Sequence, residues 1–170
     1  ALKPRHKELQ DTLLELQTRE QDWKGARQTL KDKRAQGDLP KDVALRRDAV
    51  LALQEASDVL AAGSSISARE AAISAAKASP DLVPAAVLAA RSYVAQKDFR
   101  NASRILEKTW SVQPHPDLAE AFAEIMPDER PDQRLARFET LTNLRTDHAE
   151  NKMLRAELLI ANGDFPAARR

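Results

Sequence analysis

The chain has 170 residues, of which 42% are hydrophobic and 31% charged, and its formal net charge is +1. This composition is typical of a globular protein, and the interspersed charges indicate no basic surface of the kind that binds nucleic acid. The absence of cysteine excludes disulfides, thiolate catalysis and cysteine-bound zinc.

Helical periodicity runs along the whole chain. Alanine and leucine dominate, glycine is scarce, and no segment alternates in the manner of a strand. One stripe at helical spacing consists of Phe99, Ala102, Ile105, Leu106, Thr109 and Trp110. The pattern predicts an all-α protein with about nine helices and the start of a tenth, over 5–20, 22–36, 40–62, 64–79, 81–96, 98–113, 116–126, 131–145, 147–162 and from 164 onward.

Short local signals mark the predicted helix ends. Gly37, Gly63 and Gly163 stand where helices should stop, because glycine accepts the positive φ of a helix C-terminus. Two Asp-x-x-Glu patterns, over 117–120 and 147–150, predict capping boxes in which side chains satisfy free backbone N–H groups.

One pattern occurs three times: Asp, then Trp or Phe, then Ala three residues later, in QDWKGA (21–26), KDFRNA (97–102) and GDFPAA (163–168). The three aspartates lie 76 and 66 residues apart, about twice a helical-repeat period of roughly 34 residues. In a helix hairpin, the Asp would cap the second helix, the ring would fill the gap beside the first, and the Ala would let the backbones approach. The pattern predicts an α-solenoid of antiparallel helix hairpins.

The segment 81–114, DLVPAAVLAARSYVAQKDFRNASRILEKTWSVQP, resembles a tetratricopeptide repeat in length and signature. The matching positions are Ala90, Tyr93, Phe99, Ala102, Leu106 and Pro114. Thr109 replaces a usual Ala, and the early Trp of the repeat is absent. The resemblance implies a single helical-repeat domain with units over roughly 5–36, 40–79, 81–113, 116–145 and 147–170.

Several runs resemble the C-terminal part of HemY-type proteins of alphaproteobacteria, most specifically PDLVPAA and the run from Trp110 to Ala119. Others are LLELQTREQDWKGA, RRDAVLALQEA and RLARFETL. The resemblance implies a fragment of a protein that N-terminal helices, not contained in this sequence, anchor in the bacterial inner membrane. It also implies an association with haem biosynthesis, but no catalytic residue and no assignment to the cytoplasmic or periplasmic side.

Arg91 is the only charged residue in the apolar stretch 82–96. In a tetratricopeptide array it would point into the concave groove and donate hydrogen bonds to a partner's carboxylate or backbone. Arg46, Arg47 and Gln54 on the preceding long helix would extend that surface. Two alternatives stay open: Arg91 pairs within the chain, or its stem covers apolar surface with its head in water.

His115 lies between two prolines, and an association with haem would make it a candidate axial ligand. The alternative is a rigid turn in which His115 contacts a neighbouring helix end. No phosphate-binding glycine loop and no supported Ser/His/Asp arrangement occurs, so we expect neither enzyme activity nor a cofactor. The predicted function is a non-catalytic scaffold that binds a protein or peptide partner, with a haem- or porphyrin-binding regulator as the alternative.

Overall fold

A computed structural model describes residues 4–61 and 65–169, and every regular element within them is an α-helix. The ten helices are α1 (Pro4–Arg19), α2 (Trp23–Ala35), α3 (Lys41–Ala61), α4 (Ser65–Ala78), α5 (Val83–Ala95), α6 (Phe99–Val112), α7 (Pro116–Ala123), α8 (Pro131–Thr142), α9 (Ala149–Ala161) and α10 (Phe165–Ala168). The predicted all-α class is confirmed, and each helix coincides with a predicted one to within about three residues at either end. The predicted helix end at Gly63 lies outside the described residues.

The chain divides into two compact units, Ala1–Ala85 and Ala86–Arg170. In the first unit α1 packs on α2, α2 on α3 and α3 on α4. Ala26, Leu30 and Leu51 form a buried cluster there, and Leu14 of α1 packs against it. Helices α3 and α4 bury mainly alanines, whose short side chains allow close packing of helices; they are Ala44, Ala49, Ala52, Ala56, Ala72, Ala75 and Ala76.

In the second unit α6 packs on α7, α8 on α9 and α9 on α10. Helices two apart also touch, α6 with α8 and α7 with α9. Trp110, Phe122 and Phe138 are at most 2% exposed, and the two phenylalanine rings meet edge to face with centroids 4.9 Å apart. Aromatic burial therefore dominates this core, in contrast to the alanines of the first unit.

The three Asp–aromatic motifs form the same turn. The residue before each Asp has positive φ: 59° at Gln21, 61° at Lys97 and 81° at Gly163. Each Asp has ψ between 66° and 72°, and its carboxylate accepts a hydrogen bond from the backbone N–H three residues later at 3.0–3.2 Å. Each Asp N–H donates to the carbonyl five residues earlier at 2.8–2.9 Å. The predicted Asp caps are confirmed, and the motif marks one kind of helix-to-helix turn.

The aromatic residues of the motif do not all fill a gap between helices. Trp23 is partly buried against the core cluster of the first unit, but Phe99 is 46% and Phe165 56% exposed. The predicted packing role is therefore wrong for both phenylalanines. Each is the first residue of its helix, and α10 has no buried residues that could form a stripe beside Phe165. The alanines Ala26 and Ala102 are fully buried, as predicted.

Histidines, rather than the predicted aspartates, cap α7 and α9. His115 Nδ1 accepts a hydrogen bond from the N–H of Asp117, and His148 Nδ1 accepts one from the N–H of Glu150, both at 3.2 Å. The two predicted capping boxes are wrong because each helix begins directly after its histidine. Asp117 instead lies in the first turn, where a negative charge is favourable at the positive end of the helix dipole.

Candidate functional site

The first unit has an apolar groove between α1 and α3, termed the first groove, with a cavity volume of about 330 Å³. Leu14 of α1, Leu30 of α2, and Val50 and Leu51 of α3 line its apolar part. Leu30 and Leu51 are buried, whereas Val50 is 39% exposed. The groove therefore offers apolar surface to a partner.

Two predicted partner-binding residues, Arg46 and Arg47, both line the first groove. The Arg46 guanidinium donates to Ser79 Oγ at 2.9 Å and pairs with Asp81 at 2.9 Å, so it is already engaged. Arg47 is exposed and forms no ion pair among the described residues. Gln54 is exposed on α3 but does not line the groove. The groove therefore presents one cation, Arg47, and one carboxylate, the exposed Glu15 of α1, to solvent.

An ion pair with one buried member joins α1, a wall of the first groove, to α2. The Lys33 side chain is 2% exposed and pairs with Asp11, whose side chain is 49% exposed. The hydrogen bond from Lys33 lowers the pKa of Asp11, and the positive charges of Lys33, Lys7 and Arg47 lower it further. Because a buried charge is costly without its partner, this pair holds α1 in place beside α2.

Arg91 lies in the second unit, and its guanidinium is paired within the chain. Its Nε donates to Glu124 Oε2 at 2.9 Å, and its Nη2 donates to Oε1 at 2.6 Å. These hydrogen bonds raise the pKa of Arg91 and lower that of Glu124. The structure thus contains the intramolecular pair that the sequence left open as an alternative. A contact between Arg91 and a partner stays a prediction. Because the Arg91 side chain is half exposed, it would make such a contact while keeping its bond to Glu124.

His115 serves as a helix cap, which bears on the predicted haem ligation. Since Nδ1 accepts a hydrogen bond, the neutral ring carries its proton on Nε2. Iron binding through Nε2 would require that proton to move to Nδ1, and the cap would be lost. Ligation of haem iron by His115 stays a prediction, and it would require the loss of this helix cap. Among the described residues, no three His, Asp or Glu side chains are grouped to hold a metal ion.

A second apolar groove, which the sequence did not predict, lies between α7 and α9 of the second unit. Its cavity volume is about 380 Å³, and it is termed the second groove. Ala119 and Ala123 line the α7 side, Leu154 and Leu158 the α9 side, and Phe138 of α8 closes the floor.

Three glutamates, Glu120, Glu150 and Glu157, also line the second groove, together with Arg134. The sequence contained one signal: on α9, Glu150 and Glu157 share a helical face with the leucines of the groove. That face looks like any solvated amphipathic surface until α7 is known to lie beside it. Glu120 was interpreted from the sequence as part of a capping box, and its position at the groove was therefore not predicted.

A larger cavity, of about 670 Å³, lies between α9 and α10. Its lining carries charges of both signs, with Lys152, Arg155 and Asp164. The two grooves have buried apolar side chains at their base and are the better candidates.

The sequence matches no protein-family model, and no curated protein is significantly similar to it. No helix in the described part of the chain is long and apolar enough to cross a bilayer. The case for either groove therefore depends on its geometry and charge.

Proposed function

We propose that this protein is a non-catalytic interaction module of tetratricopeptide-like hairpins, and that a protein or peptide partner binds in the first groove. The observation that carries the proposal is the partly exposed apolar groove whose rim contains Arg47 and Glu15. Apolar grooves between helices accept the apolar face of a helix or an extended segment. A guanidinium beside such a groove favours a partner that places a carboxylate next to its apolar side chains.

Contacts that recur at one period support the repeat architecture. In stacked hairpins of about 34 residues, a side chain meets the next hairpin at that separation along the chain. Hydrogen bonds of this kind, with separations of 33 to 35 residues, join Arg46 to Ser79, Arg91 to Glu124, and Trp23 to Asp58. The contacts between helices two apart in the second unit also fit stacked hairpins.

Site-specific photocrosslinking in cells tests the first groove. A benzoylphenylalanine at position 50 of the full-length protein should capture a defined partner. Val112, which is 50% exposed in the second unit, is the control position. Arg47→Glu should abolish the crosslink at position 50, whereas Arg100→Glu, at an exposed site on α6, should not. Identical products from both positions, or a crosslink indifferent to Arg47→Glu, would refute the assignment.

We further propose, from the resemblance to HemY-type proteins, that this helical region belongs to a protein held at the inner membrane and associated with haem biosynthesis. The support is the runs PDLVPAA and Trp110 to Ala119. Fractionation of cells that express the full-length protein tests membrane attachment: the protein should resist salt and alkaline washes and dissolve only in detergent. Recovery in the wash would contradict attachment, and a crosslinked partner outside haem synthesis would contradict the association.

A further inference from the structure

We infer that the second groove binds a cationic amphipathic helix of a partner protein. The apolar side chains of that helix would lie on the groove floor, and its Lys or Arg side chains would meet the glutamates. The inference rests on the proposed function only in treating the protein as an interaction module. It concerns a different surface, whose rim is more negatively charged.

The floor of the second groove suits apolar side chains. Leu154, Leu158 and Phe138 are 8%, 7% and 2% exposed, so they form a packed base. Opposite them, α7 contributes Ala119 and Ala123, which are only partly buried. Because a methyl group projects little, α7 leaves space above that base. The volume of about 380 Å³ is at the small end for a ligand pocket and holds a few side chains from one face of a helix.

The rim of the second groove is negatively charged. Among the described residues, Glu120, Glu150 and Glu157 form no ion pair. The one cation in the lining, Arg134, already donates to Glu129 at 3.3 Å and to a backbone carbonyl at 3.2 Å. Unpaired carboxylates above an apolar base complement a helix whose apolar stripe is flanked by Lys or Arg.

This combination favours a peptide over other ligands. The glutamates would repel the phosphates of a nucleic acid. A divalent cation needs several oxygen ligands within about 2.6 Å of one point, and no group of that kind occurs among the described residues. Helix-in-groove recognition, by contrast, uses a row of apolar side chains with charges beside it.

Fluorescence anisotropy with labelled model peptides tests the inference. One peptide is a helix of leucine and lysine with its leucines on one face, and the other has glutamate in place of lysine. The protein should bind the lysine peptide and not the glutamate peptide. The double variant Glu120→Gln/Glu157→Gln should weaken binding by about threefold to tenfold, the effect of losing two partly exposed charge pairs. Ala123→Trp, which fills the groove, should abolish binding.

The matched control is Glu20→Gln/Glu70→Gln, which removes the same charge from exposed positions in the first unit. It should leave the affinity for the lysine peptide unchanged. Equal weakening by both double variants, or binding that survives Ala123→Trp with unchanged circular dichroism, would overturn the inference. If the Ala123→Trp variant unfolds, the comparison of the Glu120→Gln/Glu157→Gln variant with its control double variant decides the result, since neither changes the packed base.

The two surfaces can fail independently. Loss of specific peptide binding with the crosslink at position 50 intact would refute only the second groove. The reverse result would refute only the first. Negative results for both grooves would refute the proposal that the protein is an interaction module.

Discussion

The two units have grooves of similar volume, about 330 and 380 Å³, but of different charge at the rim. The first presents one cation, Arg47, and one carboxylate, Glu15, beside leucines and a valine. The second presents glutamates above leucines and a phenylalanine. One wall of each groove belongs to a helix pair joined by the Asp-capped turn: α1 and α2 in the first unit, α9 and α10 in the second. The comparison teaches that packed helices can form grooves of similar size in both units, while the exposed side chains beside each groove determine its charge.

The units also differ in the polar groups that they bury. The first buries one charge, Lys33, with a partner that is half exposed. The second buries the Glu129 carboxylate, which pairs with two arginines. It also buries a neutral network in which Trp110 Nε1 donates to Asn151 Oδ1 at 3.2 Å, and Asn151 Nδ2 donates to the Thr142 carbonyl at 2.9 Å. A satisfied network rigidifies a core, whereas the buried charge of Lys33 depends on one contact.

The largest expected difference between the two units is in the free energy of unfolding that each loses when a tryptophan is replaced. Trp110→Ala should lower the free energy of unfolding by about 3–5 kcal/mol, because the side chain is fully buried and its loss leaves a cavity. Trp23→Ala should cost less than half as much, since Trp23 is only partly buried. Urea unfolding followed by far-ultraviolet circular dichroism measures both. Equal losses would show that the two cores do not differ in this way.

The lysine pair of the first unit gives the next largest effect. Asp11→Ala should cost roughly 2 kcal/mol, because it leaves the buried Lys33 ammonium without a partner. Lys33→Met removes that charge and should be close to neutral or stabilising. The same urea titration compares them. A Lys33→Met variant as unstable as Asp11→Ala would mean that the pair itself, rather than the isolated charge, matters.

Acid should affect the second unit through Glu129, whose side chain is 4% exposed. Its hydrogen bond from Arg137 is the main cause of a pKa below the ordinary 4.5, and Arg134 adds to it. A carboxylate with a lowered folded-state pKa stabilises the protein above the ordinary pKa, and this stabilisation is lost as pH falls through the folded value.

Glu129→Gln should therefore cost about 1–2 kcal/mol at neutral pH, since both arginines lose a buried anion. The variant should also lose less stability than the parent when the pH falls below about 4.5. Urea midpoints across that range measure the difference, with Glu139→Gln, at an exposed position on α8, as the control. Parallel pH curves for parent and Glu129→Gln would exclude this role.

The smallest effect concerns the turn that the units share. Gln21 in the first unit and Lys97 in the second have positive φ, which costs an ordinary side chain about 1 kcal/mol. Gln21→Gly and Lys97→Gly should each stabilise by about 0.5–1 kcal/mol, seen as a rise in the thermal midpoint. A rise in only one of them would show that the turns are not equivalent.

The sequence predicted the local part of the candidate site and missed the rest. Arg46, Arg47 and Gln54 on the long helix were predicted to extend the surface of Arg91, and of these three Arg46 and Arg47 line the first groove while Gln54 does not. The pairing of Arg91 with Glu124 spans 33 residues and was only one of three alternatives. The second groove was not predicted at all, because it exists only where α7 and α9 lie side by side.

The sequence by itself determined the ten described helices and the three Asp-capped turns, which precede α2, α6 and α10. Their signals act within about five residues: an Asp carboxylate bonds the N–H three positions on, and a residue with positive φ closes the preceding helix. The histidine caps of α7 and α9 were not predicted but are equally local, since each Nδ1 accepts from the N–H two positions on. Tertiary structure alone decided that Phe99 is half exposed and that glutamates line a groove. Burial and charge at these positions depend on which distant side chains lie beside them, and periodicity along one chain carries no information about that neighbour.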